Sequence, residues 1–303
     1  IAADHEQLQA MYVVGENPLM SEPNLGHTRQ AMAKLRFLAV QDIFLTETAM
    51  LADVVLPAAS FAEKSGTFTN TERRIQLVRQ VLEPPGSAKA DWQIVAELAS
   101  RMGYAMSYTD SSAIMREIAE LTPIYRGISH RRLERADGLQ WPCWDNRHRG
   151  TSRLHAKDFT RGKGKFHVVT YKPPAEAPSL DFPLVLTTGR VLEHFHTGTM
   201  SRRSRVLETL EPQGHIDMNQ EDAETVGVHA DDFLQVTSPR GEIIVQVRID
   251  NKVPQGTAFM AFHWREAPAN LLTSEAVDPT ARIPEYKVSS IRIEKAKMSG
   301  DNG

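Results

Sequence analysis

Three short apolar runs near the start constrain the fold more than any other feature of the chain. Residues 11–15 (MYVVG), 36–44 (RFLAVQDIF) and 53–58 (DVVLPA) are β-rich and largely apolar, as strands buried on both faces are. Helical stretches separate them. Residues 24–35 (NLGHTRQAMAKL) open on Asn24, a good N-cap, and residues 46–52 (TETAMLA) open on Thr46 with an acidic first turn. Strand, helix and strand in this order predict an α/β domain with a parallel sheet. Further on, Trp92, Val95, Leu98, Ala99 and Met102 recur at three- and four-residue spacing, after Asp91 as cap and before Gly103 as stop. This predicts an amphipathic helix packed on that sheet. A second helix is expected from just after Ser111 to Pro123.

From about residue 129 the texture changes to turns and arginines, and a proline-rich connector follows at residues 172–183 (KPPAEAPSLDFP). A domain boundary there gives domains of residues 1–172 and 173–303. The second reads as mainly β. Runs at residues 183–188 (PLVLTT), 232–238 (DFLQVTS), 242–249 (EIIVQVRI), 256–262 (GTAFMAF) and 288–294 (VSSIRIE) are strand-like. One helix interrupts them, capped by Asn219, acidic in its first turn and closed by Gly227. A small barrel is the expected architecture.

Composition narrows the functions. The 303 residues are 41% hydrophobic and 24% charged, enough for two cores, with the C-terminal tail the one place where disorder is expected. A formal net charge of -3 gives no basic surplus for wrapping a polyanion, so nucleic acid is not an expected partner. No apolar run approaches the ~20 residues of a membrane span, and no basic-then-apolar leader opens the chain. The single cysteine, Cys143, supports neither an internal disulfide nor a cysteine-ligated cluster. Flanked by Trp141, Pro142 and Trp144, it reads as shielded and inert.

Polar residues crowd just past the predicted strand ends, where open α/β sheets take ligands. They are residues 15–18 (GENP) after the first run and residues 187–203 (TTGRVLEHFHTGTMSRR) in the barrel, with Gln41 and Asp42 lying within the second run. A glycine turn shaped by Pro18 explains the first as well as a ligand does, and a turn or capping role explains Asp42 as well as a carboxylate that accepts N–H bonds from a guanine-like edge. His194 and His196 lack a third ligand nearby, so hydrogen bonding is preferred over metal binding. Neither phosphate-binding glycine fingerprint nor a Gly-x-Ser-x-Gly elbow is present.

Five stretches in order carry a resemblance: YVVGENPLMSEPN, LAVQDIFLTETAMLADVVLPAASFAEKSGTFTNTERRIQ, DWQIVAELASRMGY, TTGRVLEHFHTGTMSRR and ANLLTSEAVDPTARIPEYK. Together they resemble the C-terminal half of molybdenum or tungsten bis-pterin oxidoreductases of the dimethyl sulfoxide reductase superfamily. LQWPCWD and FHWREAPANLLT lean toward the catalytic subunit of formate dehydrogenase, while GRVLEHFHTGTMSRR is shared with periplasmic nitrate reductases.

The resemblance implies a dinucleotide-binding-like α/β domain followed by a six-stranded double-psi-type barrel, together gripping bis-molybdopterin guanine dinucleotide with molybdenum or tungsten. It implies Gly15, Glu16 and Asn17 against one nucleotide, Gln41 and Asp42 at its ribose or guanine, Thr46 nearby, and Ala52, Asp53 and residues 66–72 as further lining. In the barrel it implies Thr188, Gly189, Arg190, Leu192, His194, His196, Thr197, Gly198 and Thr199 facing pterin and phosphates, with Asn270, Tyr286 and Lys287 as later contacts.

No catalytic residue and no metal ligand is assigned to this chain. In the resembled enzymes the metal's cysteine or selenocysteine, the histidine after it, a substrate arginine and an iron-sulfur segment lie upstream. The chain, which starts at Ile1, therefore reads as a C-terminal piece, inactive alone. Its implied partners are the N-terminal half of the same subunit, iron-sulfur or flavin electron-transfer subunits, and formate. A cytoplasmic location is expected, a periplasmic one being left open. A nitrate-type reductase and a non-catalytic cofactor-binding module are the alternatives.

Overall fold

A computed structural model describes residues 2–135 and 137–297, so the tail, residues 298–303, lies outside the described residues. In chain order the elements are β1 (Ala10–Val14), α1 (Pro18–Ser21), α2 (Leu25–Ala33), β2 (Phe37–Asp42), α3 (Glu47–Leu51), β3 (Val54–Pro57), β4 (Gly66–Thr69), β5 (Arg74–Val78), α4 (Asp91–Arg101), α5 (Ser111–Leu121), α6 (His130–Leu133) and β6 (Leu139–Gln140). Then follow β7 (Leu184–Gly189), α7 (Arg205–Leu210), β8 (His215–Met218), α8 (Gln220–Val226), β9 (Phe233–Ser238), β10 (Gly241–Ile249), β11 (Thr257–Ala261) and β12 (Ser289–Lys295). The chain folds into two compact units, one of Ile1–Val40, Phe44–Val55 and Tyr171–Gly303, the other of Gln41–Ile43 and Leu56–Thr170.

The opening strands form a parallel sheet in the order β1-β2-β3. Leu38, Ala39, Val40 and Gln41 of β2 are consecutive and all buried, which is why this strand reads as a continuous run rather than an alternating one. In the first unit Val13, Leu38 and Val40 pack with Leu19, Met32 and Ala49. The caps follow the sequence. Asn24 accepts the His27 N–H from a left-handed conformation (φ 46°), and Thr46 accepts the Ala49 N–H, each closing an orphan donor of the helix start.

The rest of the first unit is a closed barrel in the order β10-β8-β11-β7-β12-β9. Two pairings are parallel, β7 with β11 and β8 with β10, and the others antiparallel. Along β10, Ile243, Val245 and Val247 point in while Ile244 is exposed, the period of two expected of a strand with one wet face. Leu186, Ile216, Met218, Leu234, Val236, Met260 and Ile291 fill the interior. Removing one of these side chains to alanine typically costs about 2–5 kcal/mol.

Five barrel strands match the apolar runs of the sequence. The sixth, β8, is only four residues (HIDM) and carries a histidine and an aspartate. Asp217 is tolerated there because Arg248 grips both its oxygens, at 2.7 and 2.8 Å. The connector is anchored as well as extended. Glu176 accepts Arg240 Nη1 at 2.6 Å, Arg240 Nη2 at 2.9 Å and the Ser290 hydroxyl at 2.7 Å. Burial opposes ionisation of Glu176, but these donors outweigh it and hold its carboxyl below the usual range.

In the second unit β4, β5 and β6 form an antiparallel sheet over Ile75, Met115, Ile128, Leu133, Leu139 and Cys143. Three expectations are corrected here. The α4 cap position is Ala90, with Asp91 the first helical residue, and the α5 cap is Asp110, which accepts the Ala113 N–H at 2.9 Å. The Val95, Leu98 and Met102 stripe of α4 is not a core face of this chain: the three are 39%, 39% and 79% exposed, whereas Ile94 and Ala96 are buried. The helix is held at its N-terminus by polar contacts of Asp91, which turn a different side inward.

Candidate functional site

Of the cofactor-contact residues expected from the sequence, Gln41, Asp42 and the further lining at residues 66–72 fall in the second unit and the others in the first. Four of them, Thr188, Asn270, Tyr286 and Lys287, take part in a set of hydrogen bonds around the end of β7 and the last turn of α1. Thr188 donates its hydroxyl to the Tyr286 carbonyl at 2.7 Å, and Lys287 Nζ donates to the Thr188 carbonyl. The Tyr286 hydroxyl donates to the Ser21 carbonyl at 2.8 Å, and Asn270 Nδ2 donates to the Met20 and Ser21 carbonyls at 3.0 and 3.1 Å. The last turn of α1 is thereby tied to the barrel. Burial, with the nearby Glu22 charge, pushes the Tyr286 hydroxyl up to about 12, so it stays protonated and a donor at neutral pH.

The loop after β1 is built on the same footing. Gly15 takes φ +62° with open space around it, and Glu16 is exposed. Asn17 is buried, with both ends of its amide engaged within the chain: Nδ2 donates to Glu47 at 2.7 Å, and Oδ1 accepts from the Thr48 hydroxyl and N–H at 2.8 and 3.2 Å. Asp53 accepts the Leu38 N–H at 2.7 Å and Thr46 caps α3, so both have structural work of their own.

Past β7, Gly189 lies where an added Cβ would meet the Phe259 ring at 2.5 Å, so only glycine fits the barrel wall there. Arg190 is exposed, 5.6 Å over the Phe262 ring and 3.4 Å from His196 Nδ1, and Leu192 is 96% exposed. His196 is exposed, and the Thr197 and Thr199 hydroxyls meet at 2.9 Å. His194 is buried. Its Nε2 lies 2.8 Å from the Glu211 carbonyl, which can only accept, so Nε2 carries the proton and Nδ1 accepts from Ser201 Oγ at 3.3 Å.

A cavity of about 220 Å³ opens beside this loop, walled by Thr197, Thr199, Arg202, Arg203, His263 and Arg265 among others. Of these, Arg202, Arg203, His263 and Arg265 had not been read from the sequence as site residues. His263 sits two residues past β11, the same position beyond a strand end that drew attention to the other loops. The guanidiniums are largely engaged. Arg202 pairs with Glu208 at 3.0 Å and Glu266 at 2.8 Å, and Arg265 with Glu266 at 3.1 Å. Arg203 lies 4.3 Å over the Phe44 ring. Three buried polar atoms nearby are left over: Asn270 Oδ1 and both ring nitrogens of His263 have no hydrogen-bond partner.

The second unit holds Gln41, Asp42 and residues 66–72. Gln41 is fully buried and donates Nε2 to Asp91 at 2.7 Å, and the same aspartate pairs with Lys64. Asp42 accepts the Ile43 N–H at 2.7 Å. A cavity of about 240 Å³ in this unit is walled mainly by apolar groups, including Phe61, Phe68, Trp92, Ile114 and Ile118. No group of three or more histidine, cysteine, aspartate or glutamate side chains placed to hold a metal occurs among the described residues.

A parallel α/β sheet and a closed six-stranded mixed barrel set the fold class, and sequence comparison names the family. The chain belongs to the molybdopterin oxidoreductase family: residues 1–101 match Molybdopterin oxidoreductase and residues 184–290 match the Molydopterin dinucleotide binding domain. Within the family it is similar to the C-terminal part of formate dehydrogenase alpha subunits.

It is 47% identical over 294 residues to the F420-dependent formate dehydrogenase subunit alpha of Methanocaldococcus jannaschii, covering 96% of this chain and 44% of that protein. It is 37% identical over 298 residues to the assimilatory nitrate reductase catalytic subunit of Bacillus subtilis, covering 94% of this chain and 42% of that protein. The chain thus spans less than half the length of these relatives. Acetylene hydratase from Pelobacter acetylenicus has the same fold, with a TM-score of 0.77 at 18% identity over 97% of this chain and 46% of that one. No helix among the described residues is long and apolar enough to cross a membrane.

Proposed function

We propose that this chain is the C-terminal, cofactor-holding part of a formate dehydrogenase catalytic subunit that binds bis-molybdopterin guanine dinucleotide for the two-electron oxidation of formate to carbon dioxide. The observation that carries the reading is the 47% identity, over nearly the whole chain, to a formate dehydrogenase alpha subunit, against 37% to a nitrate reductase. That second figure keeps a nitrate-type reductase as the runner-up.

The donor set fits such a cofactor. Arg190 and Lys287 are exposed cations, suited to pyrophosphate oxygens. The unpartnered Asn270 Oδ1 suits an N–H of a heterocycle edge, and Gly15 at positive φ permits close backbone approach. When bound, the pterin-ligated molybdenum or tungsten supplies the electron-accepting centre. This chain's residues bind, orient and exclude water. Tyr286, held protonated, fixes the backbone at Ser21, and His194, locked in one tautomer, fixes the loop that carries Thr197 to Thr199.

The reading assigns residues 1–172 to the α/β domain and 173–303 to the barrel domain. The partners it names are the N-terminal half of the subunit, with its iron-sulfur cluster, and iron-sulfur or flavin electron-transfer subunits in the cytoplasm. The test is formate-dependent reduction of a viologen dye, with nitrate-dependent oxidation of the reduced dye in parallel. The full-length subunit is expected to respond to formate and the purified 303-residue chain to neither. Nitrate turnover without formate turnover in the full-length subunit would select the runner-up, and activity in the chain alone would overturn its assignment as a non-catalytic part.

A further inference from the structure

The buried imidazoles of the first unit differ in one respect. His194 and His263 lie with ring centroids 5.0 Å apart, and both pack on Trp264, at 5.1 and 4.7 Å. His194 spends both nitrogens inside the protein, on the Glu211 carbonyl and on Ser201 Oγ, whose oxygen also accepts the Phe195 N–H at 3.0 Å. His263 spends neither. Its side chain is 1% exposed, both nitrogens are without a partner, and it forms part of the wall of the 220 Å³ cavity. Buried polar atoms are rarely left unsatisfied, because each loses its water without gaining a bond.

The wall also limits the ligand. The wall sets Arg202, Arg203 and Arg265 against Glu47 and Glu208; Arg202 already serves Glu208 and Glu266 while stacking 4.7 Å over Trp264, Arg265 is paired with Glu266, and Arg203 is engaged by the Thr199 carbonyl and the Phe44 ring. With each guanidinium already engaged within the chain, the wall is poorly suited to a polyphosphate. Burial, followed by the charges of His194, Arg202 and His215, pushes His263 down to about 4, so at neutral pH the ring is uncharged and keeps one N–H donor and one lone pair.

We propose that His263 is a ligand-contacting residue, presenting its donor and its lone pair to the edge of an uncharged planar nitrogen heterocycle of the pterin class in this cavity. The proposal rests on the reading that the chain holds a pterin cofactor, and it adds the residue and the chemistry of its contact. His194, with its nitrogens committed, is the positioning partner that holds the His263 ring from one side.

The test uses the 303-residue chain, neopterin as probe, and the imidazole 15N resonances as readout, with His263 assigned by its absence in His263→Gln. Neopterin is expected to shift both His263 nitrogens saturably. His263→Phe is expected to weaken binding about tenfold or more, while His263→Gln, which keeps a donor and an acceptor, stays within about threefold. The melting temperature of the ligand-free Phe variant is expected to match or exceed that of the wild type, since an unpaired polar ring has been replaced by an apolar one. Equal neopterin binding by wild type and a folded Phe variant would overturn the proposal and leave the pterin reading standing. No neopterin binding by the wild type at low millimolar concentration would overturn both. Shifts of the His263 signals by inorganic phosphate but not neopterin would overturn the heterocycle and make the cavity an anion site.

Discussion

Polar side chains at or beyond the strand ends of the two units meet different fates. In the second unit Gln41 donates to Asp91, Asp91 pairs with Lys64, and Asp42 accepts its own loop's N–H. In the first unit similar positions leave His263 and Asn270 Oδ1 unpartnered and Arg190 exposed with one long contact to His196. The difference separates two uses of polarity. Groups bonded to one another stabilise the fold, and their loss is felt in melting. Groups left over contribute little to the fold and are available to a ligand.

The largest effect is expected where a committed pair is broken in the first unit. Arg240→Ala leaves the half-buried Glu176 without its bidentate partner, with only Ser290 still donating to it, and is expected to cost about 2–3 kcal/mol in a denaturant melt. A negligible change would mean that the connector is not anchored by this pair. Next comes the second unit. Asp91→Ala removes the acceptor of the buried Gln41 amide and the counter-ion of Lys64, and about 1–3 kcal/mol is expected to be lost.

Asp222→Ala is smaller but still measurable. Its carboxylate lies in the first turn of α8, where charge alone is worth about 0.3–1 kcal/mol. It is also buried and accepts the Gly256 N–H at 2.8 Å, so a loss of about 1–2 kcal/mol is expected. A loss confined to the helix-end range would show that the Gly256 contact adds nothing.

The smallest effect is a slope. His263 titrates at about 4 when folded, below its ordinary 6.5. Between those values the unfolded chain binds more protons, so this contribution to stability is complete above pH 6.5 and is lost as the pH falls toward 4. His263→Phe is expected to flatten the pH dependence of the melt across that window. An unchanged slope would place the acid sensitivity elsewhere, on His130 or His215, whose imidazoles burial also pushes down.

Much of this architecture was legible in the sequence, because its signals are local. The unbroken apolar run of β2, the alternation in β10 and the caps Asn24, Thr46 and Asn219 each follow from a few adjacent residues. Strand β8 was not, since Asp217 makes sense only beside Arg248, 31 residues away. The α4 stripe misled because periodicity shows that a face is apolar without showing what covers it. In the candidate site, residue type and position near strand ends drew attention to the loops that carry Arg190 and His194, and the resemblance added Asn270, Tyr286 and Lys287. Which of their atoms are spent is set by partners far along the chain, as with Asn17 on Thr48 or Asn270 on Ser21, and no local pattern encodes that. His263 escaped for the same reason.

The central claim, that the uncommitted groups of the first unit hold a pterin dinucleotide, is tested most directly by cofactor content. Pterin and guanine nucleotide released from the full-length subunit are to be quantified for wild type and Arg190→Ala, with melts of the cofactor-free proteins alongside. Arg190 is exposed and has only weak contacts within the chain, so its loss is expected to leave melting within about 0.5 kcal/mol of wild type. A lost charge-assisted contact of about 1.5–3 kcal/mol is expected to lower bound pterin and guanine together. Full pterin and guanine content in Arg190→Ala, or a variant that melts early while keeping its cofactor, would contradict the account.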